Sequence, residues 1–199
     1  MDIDALTEQV IGRLFVELEA SGRHAHVTKA QAMALFGHEL TPKRELSQPG
    51  QFLANERVTV IGPKGEFRNV AVLGPERPEG QVEVSLTDAR ALGIDAPIRL
   101  SGKVAGTPGV TLEGSKGRVE LKQGVIAAQR HIHLNQADAQ RLGIRDNQVV
   151  RLQTFTQRPV IFDDVVVRIH PMFRTRVHLD YDEANACGYQ AGDLGRILS

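Results

Sequence analysis

The segment Arg23-His24-Ala25-His26 returns as Arg130-His131-Ile132-His133, and the two copies use four of the seven histidines in the chain. In an extended strand, residues i and i+2 project from one face, so each His-x-His sets two imidazoles side by side while Ala25 or Ile132 turns to the other face. Such a pair is half a metal site. Imidazole suits zinc and its first-row neighbours, and a site that performs chemistry needs a third protein donor plus a position open to water or substrate. A single His-x-His is weak support, because most histidines are surface or hydrogen-bonded core residues. Here the repeat runs on. Val27-Thr28-Lys29-Ala30-Gln31 and Leu134-Asn135-Gln136-Ala137-Asp138 follow the two pairs. Thr28 and Asn135 are good N-caps, Thr28-x-x-Gln31 has capping-box spacing, and Gly37 and Gly143 end the helices they open. Each unit reads strand, histidine pair, short helix, glycine stop.

Between and after these units lie short β-prone runs: Val58–Ile61, Asn69–Leu73, Gln81–Ser85 and Pro97–Leu100, then Gln148–Leu152, Val160–Phe162, Val165–Ile169 and Thr175–Leu179. Gly62-Pro-Lys-Gly65, Gly74-Pro75 and Gly106-Thr-Pro-Gly109 punctuate them as turns. A weaker repeat joins Thr87–Ile94 to Ala137–Ile144. The expected fold is mainly β with short α-helices, arranged as two related small β-barrels with helical caps; two visible copies are too few for a solenoid.

Composition excludes several classes. With 24 basic residues against 24 acidic ones the formal charge is zero, and no basic tract offers a grip on nucleic acid. One cysteine, Cys187, rules out an internal disulfide and thiolate-rich metal sites, which favours a reducing compartment. The absence of a spanning apolar run or a secretory leader leads to the expectation of an intracellular, cytoplasmic protein without a membrane partner.

The segments Arg23-His-Ala-His26, Leu40-Thr-Pro-Lys43, Leu46-Ser-Gln-Pro-Gly-Gln-Phe52, Gly62-Pro-Lys-Gly65, Val72-Leu-Gly-Pro75, Gln81-Val-Glu-Val-Ser85, Gly106-Thr-Pro-Gly109, Arg130-His-Ile-His133 and Asp182-Glu-Ala-Asn-Ala186 resemble, in colinear order, the phosphate propanoyltransferases of the PduL type. The resemblance implies two barrel domains with the active site between them and two zinc ions. It implies acyl transfer between coenzyme A and phosphate, with acyl-coenzyme A, phosphate and acyl phosphate as partners, and service inside a bacterial microcompartment. On this pattern His24, His26 and Glu83 would hold one zinc, and His131, His133 and His178 the other. Glu83 lies opposite Val82 and Val84 on its strand, and His178 opposite Val177 and Leu179, so both can leave the core face. Asp180 shares the face of His178 and could orient its imidazole.

The family pattern also singles out Arg77 as a phosphate ligand and Arg99 as a weaker candidate. Arginine outnumbers lysine 18 to 6, and guanidinium is the better fork for phosphate oxygens. Arg23 and Arg130 point away from the histidine faces of regular strands and read as structural; His38 and His170 read as loop residues. Three departures from the family pattern, Gly22, Ala25 and Tyr181, remove no ligand. Two other classes stay open: a zinc-dependent hydrolase of thioesters or acyl phosphates, using the same ligands, and a non-catalytic metal-binding barrel.

The domain boundaries expected are 1–20 for an N-terminal amphipathic helix, 21–128 for the first barrel and 129–199 for the second. Ile3, Leu6, Val10, Leu14 and Leu18 recur at helical steps opposite Glu8, Arg13 and Glu17. That stripe fits docking on the protein's own core, the second barrel included. By the resemblance it fits equally an encapsulation peptide that binds microcompartment shell proteins or further copies of the chain.

Overall fold

The computed structural model describes residues 15–198. The chain divides into two compact units, one built from residues 22–129 and the other from the residues up to Ser21 together with 130 onward.

In the 22–129 unit the strands are β1's successors in order: β2 (His24–His26), β3 (Pro42–Glu45), β4 (Phe52–Ile61), β5 (Glu66–Gly74), β6 (Gln81–Val84), β7 (Ile98–Arg99), β8 (Val110–Glu113), β9 (Arg118–Leu121) and β10 (Val125–Ala128), where β1 (Val16–Ser21) belongs to the other unit. They form a half-barrel sheet of order β7-β10-β6-β2-β5-β4-β8-β9, with β3 paired to β4. Helix α1 (Lys29–Phe36) follows β2 and α2 (Leu86–Leu92) follows β6. Leu35, Leu92, Leu112, Val72 and Val82 are completely buried in its core, each such side chain stabilising the fold by about 1.5–3 kcal/mol.

The second unit is a closed six-stranded barrel. Its strands β1, β11 (His131–Leu134), β12 (Val149–Phe155), β13 (Ile161–Ile169), β14 (Arg176–Asp180) and β15 (Leu194–Leu198) run in the order β1-β14-β11-β13-β12-β15, and β15 pairs back onto β1. Helices α3 (Gln136–Leu142) and α4 (Tyr181–Cys187) follow β11 and β14. Val160–Phe162 and Val165–Ile169, expected as separate strands, belong to one strand, kinked where Asp164 takes a φ of 60°. None of the described helices is long and apolar enough to cross a membrane.

The four helices of the described residues are built alike. Thr28, Ser85, Asn135 and Asp180 are extended N-caps whose side chains accept from the amides of Gln31, Asp88, Asp138 and Glu183, and Gly37, Gly93, Gly143 and Gly188 close the helices in the left-handed region. In the 22–129 unit two hairpin turns of the same chemistry grip two helix ends. Lys64 N donates to the Leu92 carbonyl at 3.0 Å and Lys116 N to the Leu35 carbonyl at 2.9 Å, satisfying acceptors that a helix end leaves unpaired. Glycine is required there: a Cβ on Gly62 or Gly114 would lie 2.4 Å from the same carbonyl oxygens.

The expected N-terminal helix over 1–20 is corrected at its end. Val16–Ser21 is a strand, with Val16 and Leu18 in the core and Glu17 and Glu19 turned outward, a period of two rather than 3.6. The remainder of the stripe, Ile3 to Leu14, lies outside the described residues.

Candidate metal centres

Strand register carries both donor sets. β2 pairs antiparallel with β6 so that His24 faces Glu83; β11 pairs antiparallel with β14 so that His131 faces His178. Paired residues of neighbouring strands project from one face, so the third donor stands beside each His-x-His. His24, His26 and Glu83 form one group and His131, His133 and His178 the other, with the donor atoms of each group within 4.8 Å of one another.

The first centre is buried and fully supported. His24 Nδ1 donates to the Gly22 carbonyl at 2.8 Å and His26 Nδ1 to the Leu73 carbonyl at 3.1 Å. A carbonyl can only accept, so each neutral ring presents its Nε2 lone pair inward. These Nε2 atoms stand 3.6 Å and 4.0 Å from the Glu83 carboxylate, too far for good hydrogen bonds. Donors of a tetrahedral zinc at its usual bond lengths stand about 3.4 Å apart, so the residues fit that ion with small adjustments. Glu83 Oε1 accepts from Gln81 Nε2 at 2.6 Å and from Ser101 Oγ at 2.8 Å, while Gln81 Oε1 accepts from Gly102 N.

Electrostatics favours an ionised Glu83 and a neutral His26, both suited to a cation, while His24 would give up any proton it carries on binding one. Burial disfavours ionisation of Glu83, but the attraction of His24, with His26 and the Ser101 hydrogen bond, outweighs it and holds the carboxyl well below the usual range. Burial works against a charge on His24 too, and there Glu83 outweighs it and raises the pKa. For His26, burial and the neighbouring His24 and Arg77 charges bring the pKa down to about 3, which keeps it neutral.

Arg77 sits at this centre. Its amide donates to the Val27 carbonyl at 2.9 Å and its Nη1 to Ser101 Oγ at 3.0 Å, so Ser101 ties the guanidinium to the Glu83 carboxylate. Arg99 is exposed on β7, and its Nη1 donates to the Ile98 carbonyl at 3.0 Å; among the described residues nothing ties it to either donor set. Gln81 and Ser101 were missed from sequence. Gln81 could have been found, since it shares the strand face of Glu83; Ser101 lies in a turn far along the chain and carries no pattern.

The second centre is built from three imidazoles. The ring centroids of His131, His133 and His178 lie 4.7–5.0 Å apart. His133 is buried, and its Nδ1 has no hydrogen-bond partner, an orphan donor position that metal binding at this ring would help explain. Burial, with His131 and Arg168 adding, takes its pKa down to about 3. Phe173 packs on its ring at 4.1 Å. Asp180 Oδ1 is engaged as the N-cap of α4, accepting from the Glu183 amide at 2.8 Å. His38 is exposed beyond the Gly37 stop, and His170 accepts from the Met172 amide in the loop that carries Phe173. Cys187 is buried, its thiol donating to the Ala184 carbonyl, and burial pushes its pKa up, which disfavours a nucleophilic thiolate.

Two groups of three potential donors at matching strand register, each one short of the four protein ligands of a closed structural zinc site, mark a duplicated β protein with two candidate metal centres. A profile of the phosphate propanoyltransferase family matches residues 17–190. The chain is 52% identical over 98% of its length to a phosphate propanoyltransferase of Enterococcus faecalis, covering 97% of that protein. It is 55% identical over 90% of its length to one of Leptotrichia buccalis, covering 86%, and 47% identical over 89% to one of Thermotoga maritima, again covering 86%. The chain belongs to the phosphate propanoyltransferase family and is an acyltransferase.

Proposed function

We propose that the protein interconverts a short-chain acyl-coenzyme A plus phosphate with an acyl phosphate plus coenzyme A, using two zinc ions held by His24, His26 and Glu83 and by His131, His133 and His178. The observation that carries this reading is the chain of contacts Arg77–Ser101–Glu83, which sets a guanidinium fork next to a three-donor metal centre. When bound, zinc supplies Lewis acidity that lowers the cost of an oxyanion and of a departing thiolate. Arg77 binds and orients phosphate, and Ser101 holds that guanidinium in place. Arg99 is assigned a lesser contact with the anionic substrates from its exposed position. A phosphate oxygen then attacks the thioester carbonyl carbon, a C–O bond forms, the C–S bond breaks, and coenzyme A leaves as the thiolate. Holding both reactants in one orientation supplies much of the rate. No protein nucleophile takes part, in keeping with the buried, hydrogen-bonded Cys187 thiol.

The test is release of free coenzyme A with phosphate varied across acetyl-, propanoyl- and butanoyl-coenzyme A. Saturable dependence on phosphate is expected; release independent of phosphate would mark a hydrolase instead. The amphipathic residues Ile3, Leu6, Val10 and Leu14 support a further part of the reading, in which the N-terminal segment directs the enzyme to microcompartment shell proteins. Co-assembly with shell proteins, compared with and without residues 1–14, tests it.

A further inference from the structure

Arg23 and Arg130, each immediately before a His-x-His pair, both bind a carboxylate, Arg23 through two nitrogens and Arg130 through one, its Nε going to the Asp163 carbonyl at 2.7 Å. Arg23 Nε and Nη2 donate to the two carboxylate oxygens of Asp88 at 2.8 Å and 2.7 Å, and Arg130 Nη1 donates to Glu183 at 2.6 Å. The acids are equivalent. Each lies five residues beyond the third donor, 83 to 88 and 178 to 183, at the third position of the helix that follows that donor's strand. The arginines also lie over equivalent rings, Phe67 at 4.1 Å and Phe162 at 5.5 Å. Each ring stands four residues before the partner of the first histidine on the parallel neighbour, Ala71 for His24 and Val166 for His131. One arrangement of cation, ring and acid is thus present twice at matching register.

Its placement gives it a purpose beyond stability. Two strands meet at each centre: one brings the histidine pair, the other the third donor. A bidentate or partly buried arginine–carboxylate contact is directional as well as attractive, and here it joins the residue before the first histidine to the helix leaving the third donor. Asp88 is only 6% exposed, so that pair is poorly screened by solvent. Glu183 also accepts from the Asp180 amide through its other oxygen, which passes the restraint back toward His178.

We propose that Arg23 and Arg130 are positioning residues, each fixing the distance between a His-x-His pair and the third donor so that the metal centre is preformed. This inference rests on the reading of both donor sets as zinc centres. The test uses the full-length zinc-loaded protein, titrated with a chromophoric chelator so that release of each zinc equivalent is resolved. Wild type should hold two equivalents. Arg23→Met should weaken one of them about tenfold to a hundredfold and leave the other unchanged; Arg130→Met should do the reverse. After cobalt exchange, the visible absorption of the affected centre alone should shift. An ion pair that serves only stability would lower the melting temperature without changing either affinity. Folded Arg23→Met protein with both affinities and the cobalt spectrum unaltered therefore overturns the proposal. Should Arg23→Met fail to fold, Arg23→Lys decides on the same readouts, since lysine keeps the charge but not the fork. A wild-type protein that binds no zinc would defeat the metal reading and the clamp with it, whereas unaltered affinities in the arginine variants would defeat the clamp alone.

Discussion

The two centres share one frame and differ in what fills it. In both, a His-x-His strand has an antiparallel neighbour whose residue opposite the first histidine is the third donor. That residue is glutamate in the 22–129 unit and histidine in the closed barrel. The first centre therefore carries one more negative charge, and it is lined with acceptors and donors that hold every ligand: the Gly22 and Leu73 carbonyls, Gln81 and Ser101. The second places three imidazoles together and leaves His133 Nδ1 without a partner. The geometry is shared while the charge differs, so the first centre, with its carboxylate, should be the tighter site for a cation and the second the more labile.

Removing a first histidine should have the largest effect. His24→Ala and His131→Ala should each cost about one zinc equivalent by metal analysis and reduce acyl transfer by at least about a hundredfold, as should exhaustive chelation; full activity in metal-free protein would break the reading of both centres alike. Next is Arg77→Lys, which keeps the charge and loses the fork. The KM for phosphate should rise about tenfold or more, with the KM for coenzyme A nearly unmoved. Equal weakening of both substrates would make Arg77 structural, and Arg99→Ala should be milder in the same assay.

A sharper comparison comes from Glu83→His, which gives the first centre the donor set of the second. Zinc should still bind there, with an affinity lowered toward that of the second centre; loss of all zinc from the variant would show that the carboxylate is indispensable rather than tuned. Ser101→Ala should have the smallest effect on metal, a weakening of about threefold to tenfold confined to one equivalent, with a larger effect on phosphate saturation because Arg77 loses its tether.

The two His-x-His pairs were legible in the sequence because the motif is doubled, whereas Glu83 and His178 were reached through the family resemblance, strand alternation saying only that each leaves the core face. A finer rule was also there: His26, Glu83, His133 and His178 each stand two residues before an N-cap, Thr28, Ser85, Asn135 and Asp180. A strand that places a donor inward places the cap two residues later on the same face, just where the helix begins. The β8–β9 hairpin was missed, although Gly114-Ser-Lys-Gly117 repeats the turn chemistry of Gly62-Pro-Lys-Gly65, because its strands are only four residues long. The capping role of Asp180 went unseen because strand alternation alone does not reveal a helix cap. The clamps of Arg23 and Arg130 were out of reach, since their acids are 65 and 53 residues away in sequence. Leu18 misled for another reason: it fits a helical stripe and a strand alternation equally well, and pairing with β14 and β15 decided between them.

That pairing bears on how the chain is made. β1 lies between two strands from near the other end of the described chain, in parallel register with β14 and antiparallel with β15. The 22–129 unit is therefore an insertion within the barrel, and it emerges from the ribosome whole while the barrel still lacks most of its strands. Val16–Ser21 has no sheet partner until β14 is synthesised and gains its second only with β15. The residues before Val16 therefore leave the ribosome well ahead of both strands that β1 will pair with.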